Sequence, residues 1–86
     1  TIMKTLYLGM WDNQESDAPG RQEGIDQVLE AVDQEGAVRV SFDYTGRTRH
    51  RIAAAVMRDR ISETRDDLEF RIEHNYGFEI RKKEEH

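Results

Sequence analysis

The chain has no cysteine. That excludes disulfides, thiolate nucleophiles and zinc–cysteine sites together. It fits a reducing compartment, and a cytoplasmic location is expected. No apolar run approaches the roughly 18–20 residues that a membrane span needs. The opening stretch TIMKTLYLGMW has one lysine and only a short apolar patch, so it reads as structure rather than as a secretory signal. There is one proline, and aromatics make up only 8% of the chain, which leaves few rings for stacking on bases. No GxSxG elbow, phosphate-binding glycine loop or cysteine nucleophile is present, so no enzyme activity is expected. Glu73 and His74 are adjacent on an expected strand and point to opposite faces, so they do not make an acid–base pair. The histidines at 50, 74 and 86 are scattered, and DNQESD lacks the ligand spacing and glycine of a calcium loop. Neither a metal site nor a cofactor is expected.

What remains is short and highly charged. The 86 residues are 36% apolar and 36% charged, with a net charge of −5. This length suits one domain, 1–86, with a small core that gains from a partner. The apolar residues recur with clean periods, which argues against disorder.

Residues 3–10 read as a strand whose Leu6, Tyr7 and Leu8 put apolar side chains on both faces. That pattern predicts a strand covered on both sides or central in its sheet. Residues 11–23, WDNQESDAPGRQE, predict a long polar loop. From Gly24 to Glu35, Ile25, Val28, Leu29 and Val32 take the i, i+3, i+4, i+7 spacing of one helix face, and Gly36 follows as a stop. Residues 37–44 alternate strictly, with Val38, Val40, Phe42 and Tyr44 on one face. A second helix is expected from about Thr48 to Thr64, with Ile52, Ala53, Val56, Met57 and Ile61 as its stripe. Residues 68–74 and 78–82 alternate again around Asn75-Tyr76-Gly77, a hairpin. Two registers keep its apolar faces together. One sets His74 opposite Phe78 with a left-handed Gly77 closing the turn. The other sets Ile72 opposite Phe78, with Arg71 and Glu69 opposite Glu79 and Arg81. Turn chemistry favours the first, charge pairing the second, and the first is the expectation. Residues 83–86 are expected to fray.

The expected fold is therefore α+β: β-α-β-α-β-β, a four-stranded mixed sheet with two helices on one face and a C-terminal β-hairpin. Its element order is similar to that of the Alba-like and initiation-factor C-terminal folds. Those modules are usually basic, and this chain is acidic.

Charge is segregated. Residues 5–43 sum to −7, residues 44–65 to +4 and residues 66–86 to −3. The acidic side chains Asp12, Glu15, Asp17, Glu23, Asp26, Glu30, Asp33 and Glu35 fall in the first loop and helix. Such a surface repels nucleic acid and attracts basic protein grooves. The plain alternative is a solvated face that keeps the chain soluble. The stretch TGRTRHR gathers Arg47, Arg49 and Arg51 at the start of the second helix, and Arg58 follows further along. Free N–H groups and the positive dipole end are there too, so a phosphate would be welcome. The plain alternative is that these arginines pair with the acidic first helix. Trp11 and Tyr76 are the candidate exposed rings, although Trp11 also suits a core or lid position.

Three functional expectations follow. The first is a non-enzymatic regulator or inhibitor, of the kind phages and mobile elements make, docking its acidic surface on a basic, nucleic-acid-binding protein. The second is a direct nucleic-acid binder using the arginines. The third is a homodimeric assembly subunit anchored by Trp11 or Tyr76.

Overall fold

A computed structural model describes residues 4–9, 11, 19–42, 47–73 and 77–83, with side chains described at all of these except 19, 20, 47–50 and 73. The elements are β1 (Lys4–Tyr7), α1 (Pro19–Glu35), β2 (Ala37–Ser41), α2 (Arg47–Ser62), β3 (Leu68–Glu73) and β4 (Gly77–Lys82). The four strands form one mixed sheet in the order β1-β2-β4-β3. β1 runs parallel to β2, and β4 is antiparallel to both β2 and β3. Both helices cover the same face, α1 over β2 and β4, α2 over β3 and β4. This is the α+β order and architecture that the periodicities predict.

The core follows from alternation on the strands and helical spacing above them. Val38, Val40, Phe42, Leu68, Phe78 and Ile80 rise from the sheet to meet Ile25, Val28, Ala31 and Val32 of α1 and Ala53, Ala54, Met57 and Ile61 of α2. Phe78 sits at the centre, its ring centroid 6.1 Å from Phe42 and 5.8 Å from Phe70. Gly36 ends α1 with φ of 83°, and its N–H donates to the Val32 carbonyl at 2.8 Å. That is the left-handed stop for which glycine is suited.

Five expectations are corrected. β1 is an edge strand, and Tyr7 is 79% exposed. Its two-sided apolarity reflects one side that packs and one that does not. Helix α1 starts at Pro19, so the expected loop loses its last five residues, 19–23. Proline suits the first helical turn, because its fixed φ is helical and its missing N–H has no partner there anyway. The buried stripe of α1 accordingly begins at Arg21 and Gly24, which hydropathy does not flag. On α2, Ile52 is half-exposed and Ala54 is buried instead. The helix turns its smallest side chains to the sheet, which permits close approach. The hairpin takes the register not favoured above: Ile72 faces Phe78, Arg71 faces Glu79 and Glu69 faces Arg81.

Gly77 explains the register. It lies inside the ladder, opposite both Ser41 and Glu73, with φ of 128°. A Cβ there would run into the Val40 carbonyl oxygen, so the glycine serves a close strand contact rather than the turn tip. The shift also places Arg81 Nε 2.9 Å from Glu69 Oε2. Finally, Lys83, expected in the frayed tail, donates its N–H to the Asp67 carbonyl at 2.9 Å. Residues 84–86 lie outside the described residues.

Candidate functional site

The acidic candidates divide into three groups. Asp12, Glu15 and Asp17 lie outside the described residues. Glu23, Asp26 and Glu30 are exposed along α1, on the side turned from the sheet, and Glu35 is exposed as the last residue of the helix. Their neighbours are glutamines rather than cations. Gln22 donates to Asp26 at 2.9 Å and Gln34 to Glu30 at 3.2 Å, each one helical turn apart. Among the described residues, no cation comes within ion-pair distance of these four acids.

Asp33 stands apart. It is a member of the expected partner-binding set, and its charge is instead used inside the fold. Arg65 NH2 lies 2.9 Å from Asp33 Oδ1, and NH1 lies 3.3 Å from Oδ2. Lys82 Nζ reaches the same carboxylate at 3.3 Å. Arg65 also holds Asp67, through Nε at 2.9 Å and NH2 at 3.0 Å. One guanidinium therefore joins the end of α1 to the turn between α2 and β3, and Lys82 adds β4. Its planar fork permits this double engagement, which an ammonium would not. Hydrogen bonding from Arg65 is the main cause that holds the Asp67 carboxyl at about 2, below its ordinary 3.8. The same guanidinium, helped by Lys82 against partial desolvation, lowers Asp33 as well. The Arg65 guanidinium is in turn raised by Asp67 and then Asp33.

The arginine candidates are only partly brought together. Arg47 and Arg49 lie in the first turns of α2, and their side chains are outside what the structure describes. Arg51 is exposed. Arg58 NH2 lies 3.3 Å from Asp59, its own helix neighbour. The expected pairing between the basic segment and the acidic helix occurs at Arg65 with Asp33. Thr45 and Gly46, the start of TGRTRHR, lie outside the described residues, as does Tyr76.

Trp11 is not an exposed anchor. It is 1% exposed, its ring centroid 6.3 Å from Phe42, and its indole N–H donates to the Arg21 carbonyl at 3.0 Å. A Cβ on Gly24 would stand 2.7 Å from the indole, so the helix can pass this ring only with a glycine there. Over the ring lies the Arg21 guanidinium, 4.6 Å from the centroid and 8% exposed. The periodicity begins at Ile25 and leaves out Arg21 and Gly24. The signal was the stripe itself: 21, 24, 25, 28, 32 is one continuous helix face.

The open sheet face carries Arg39, Glu79, Glu69, Arg71 and Arg81. Arg39 Nε meets Glu79 at 3.3 Å. Alternating charges cover this face, and Tyr7 at its margin is the one large apolar side chain among the described residues there. Shallow hollows of about 120 Å³ lie over Glu69, Phe70, Arg71, Glu79 and Arg81, and of about 210 Å³ between β1 and α1. Among the described residues, no three acids or histidines converge as a metal-ligand set, and no helix is long and apolar enough to cross a membrane. No family model, curated protein or solved structure matches the chain.

Proposed function

We propose that this protein is a small non-enzymatic interaction module of the cytoplasm that docks the acidic face of α1 on a basic protein surface. A groove that otherwise binds a nucleic-acid backbone is the natural partner surface, and occupying it makes the module an inhibitor or regulator. One observation supports this reading above the others: Glu23, Asp26 and Glu30 share an exposed helix face without a described cation, while the nearby Asp33 is neutralised twice over. Unpaired charge of one sign on a rigid element steers encounter with the opposite sign. Asp33 leaves the docking set, because its carboxylate is already engaged.

The test uses the triple reversal Glu23→Lys, Asp26→Lys, Glu30→Lys. A basic partner is first captured with the native chain from a lysate, and its association rate is then measured with both forms at low salt. The reversed chain is expected to associate at least about tenfold more slowly, with the difference shrinking as salt is added. An equal on-rate removes the reading.

The second reading is direct nucleic-acid binding through Arg47, Arg49, Arg51 and Arg58. Its support is that α2 begins at Arg47, so the first three of these stand at the helix N-terminus. Fluorescence anisotropy of labelled RNA and DNA at low salt separates the two. Saturable, salt-sensitive binding lost in Arg49→Ala with Arg51→Ala favours the arginines. An absence of binding leaves the acidic face.

A further inference from the structure

The two margins of the sheet differ in their cover. β3 lies under α2 and carries Glu69 and Arg71, side chains that discourage another strand from pairing. β1 is protected less: Lys4 is its one charged side chain, and α1 reaches only its flank. The helices pack chiefly on the other three strands, and Leu6 and Leu8 are only half-buried. Tyr7 is 79% exposed on the open face. On the helix side, a hollow of about 210 Å³ opens between β1 and α1, lined by Lys4, Leu6, Gln27, Glu30, Ala31 and Gln34.

The backbone of β1 is also available. The Leu8 N–H donates to the Ser41 carbonyl of β2 at 2.9 Å. Alternation along the strand then turns Lys4 and Leu6 toward β2 as well, and turns the N–H and C=O groups of Thr5 and Tyr7 outward. Among the described residues nothing pairs with them. Edge groups of this kind are a template for another strand.

We infer that β1 pairs antiparallel with β1 of a second copy about a two-fold axis at Leu6. This register sets Thr5 opposite Tyr7 of the second copy and Tyr7 opposite its Thr5. Those pairs are the ones whose N–H and C=O groups face outward, so four backbone hydrogen bonds form with no group left over. Leu6 meets Leu6 on the helix side, and Lys4 meets Leu8. On the open side, each Tyr7 ring covers the Thr5 across from it. The two hollows merge into one trough, in which Lys4 and Glu30 of both copies alternate in sign. A second copy is favoured over an unrelated strand because the match is self-complementary in hydrogen bonds, in apolar contact and in charge. Isologous pairing also closes, consuming both β1 edges and leaving only the charged β3 edges outside. This inference shares Glu30 with the acidic docking face, and its edge variants at Thr5 and Tyr7 leave that residue in place, so the two readings can fail separately.

Sedimentation velocity of the full chain, from micromolar to millimolar concentration, is the first measurement. A shift from one chain to two is expected. Thr5→Pro removes an outward N–H without touching the β1–β2 ladder, and an edge strand tolerates that. It is expected to weaken dimerisation by about tenfold or more, with the thermal midpoint unchanged at concentrations where both forms are monomeric. Tyr7→Lys, at an exposed position, does the same and decides the matter if Thr5→Pro fails to fold. The axis is tested by oxidative cross-linking, since any introduced cysteine is the only one in the chain. Across a pair such as Leu6 to Leu6 the Cβ atoms stand about 4.5–5.5 Å apart, near disulfide range. Leu6→Cys should link and Lys4→Cys should not. A monomer at every concentration overturns the inference. So does a dimer that survives both edge variants or that fails to link through Leu6→Cys.

Discussion

The two ends of α1 are held in opposite ways. At the N-terminal end, a buried indole fills the space that Gly24 leaves, accepts a guanidinium on its face and donates to a helix carbonyl. At the C-terminal end, the anchor is a set of surface charges, Asp33 with Arg65 and Lys82. The first attachment works by excluding water, so it is strong and nearly indifferent to salt. The second works between partly solvated charges, so it is weaker and conditional. Its value is direction: one guanidinium sets where the end of α1 sits relative to the turn before β3. The same chemistry explains why Asp33 is poorly suited to meet a partner while the acids one and two turns earlier remain available.

The largest effect is expected from Trp11→Ala, which removes the N-terminal attachment. Deleting a buried ring of this size costs about 3–5 kcal/mol. An 86-residue domain has a total of about 4–13 kcal/mol, so the variant should lose between about a quarter and all of its stability. Urea denaturation measures this, and a loss under about 1 kcal/mol would deny the ring its role. Next comes Gly24→Ala, in which the new methyl meets the indole. A net loss of about 1–2 kcal/mol is expected even though alanine is the better helix former. A gain in stability would show that the ring can move aside.

Arg65→Met tests the other end, keeping the stem and removing the charge. A loss of about 1 kcal/mol is expected, smaller in high salt, whereas Trp11→Ala should be unaffected by salt. The smallest effect is in acid. Asp67 titrates at about 2 and Asp33 is also lowered in the folded chain, against an ordinary 3.8. Between these values the unfolded chain binds more protons than the folded one. The contribution is therefore complete above about pH 4 and is lost as pH falls toward 2. Arg65→Met should flatten stability over that interval, as read by melting temperature against pH.

Much of this fold could be read from spacing alone. Val38, Val40 and Phe42 alternate as they pack, and Ile25, Val28 and Val32 form a helix face as they pack. The errors occurred where a residue's usual meaning was reversed by its surroundings. Pro19 and Gly20 resemble a loop and instead begin a helix. Arg21 resembles surface and lies buried on an indole. Gly77 resembles a turn and lies in a ladder. Tyr7 resembles core and stands exposed at an edge. The acidic face of α1 was legible as charge. That Asp33 differs from its neighbours was not, because its partners lie 32 and 49 residues away in the chain.

The sequence by itself determined the element order and which positions of each element are apolar, because both are local and repeat at 2 or 3.6 residues. It also determined that negative charge accumulates on the first helix and positive charge at the start of the second. Only the tertiary structure decided the strand order, the hairpin register, the burial of Trp11 with Arg21 and the neutralisation of Asp33. Each of these depends on which distant segments meet. That is settled by the summed packing of the sheet against its helices, a quantity that no local pattern carries.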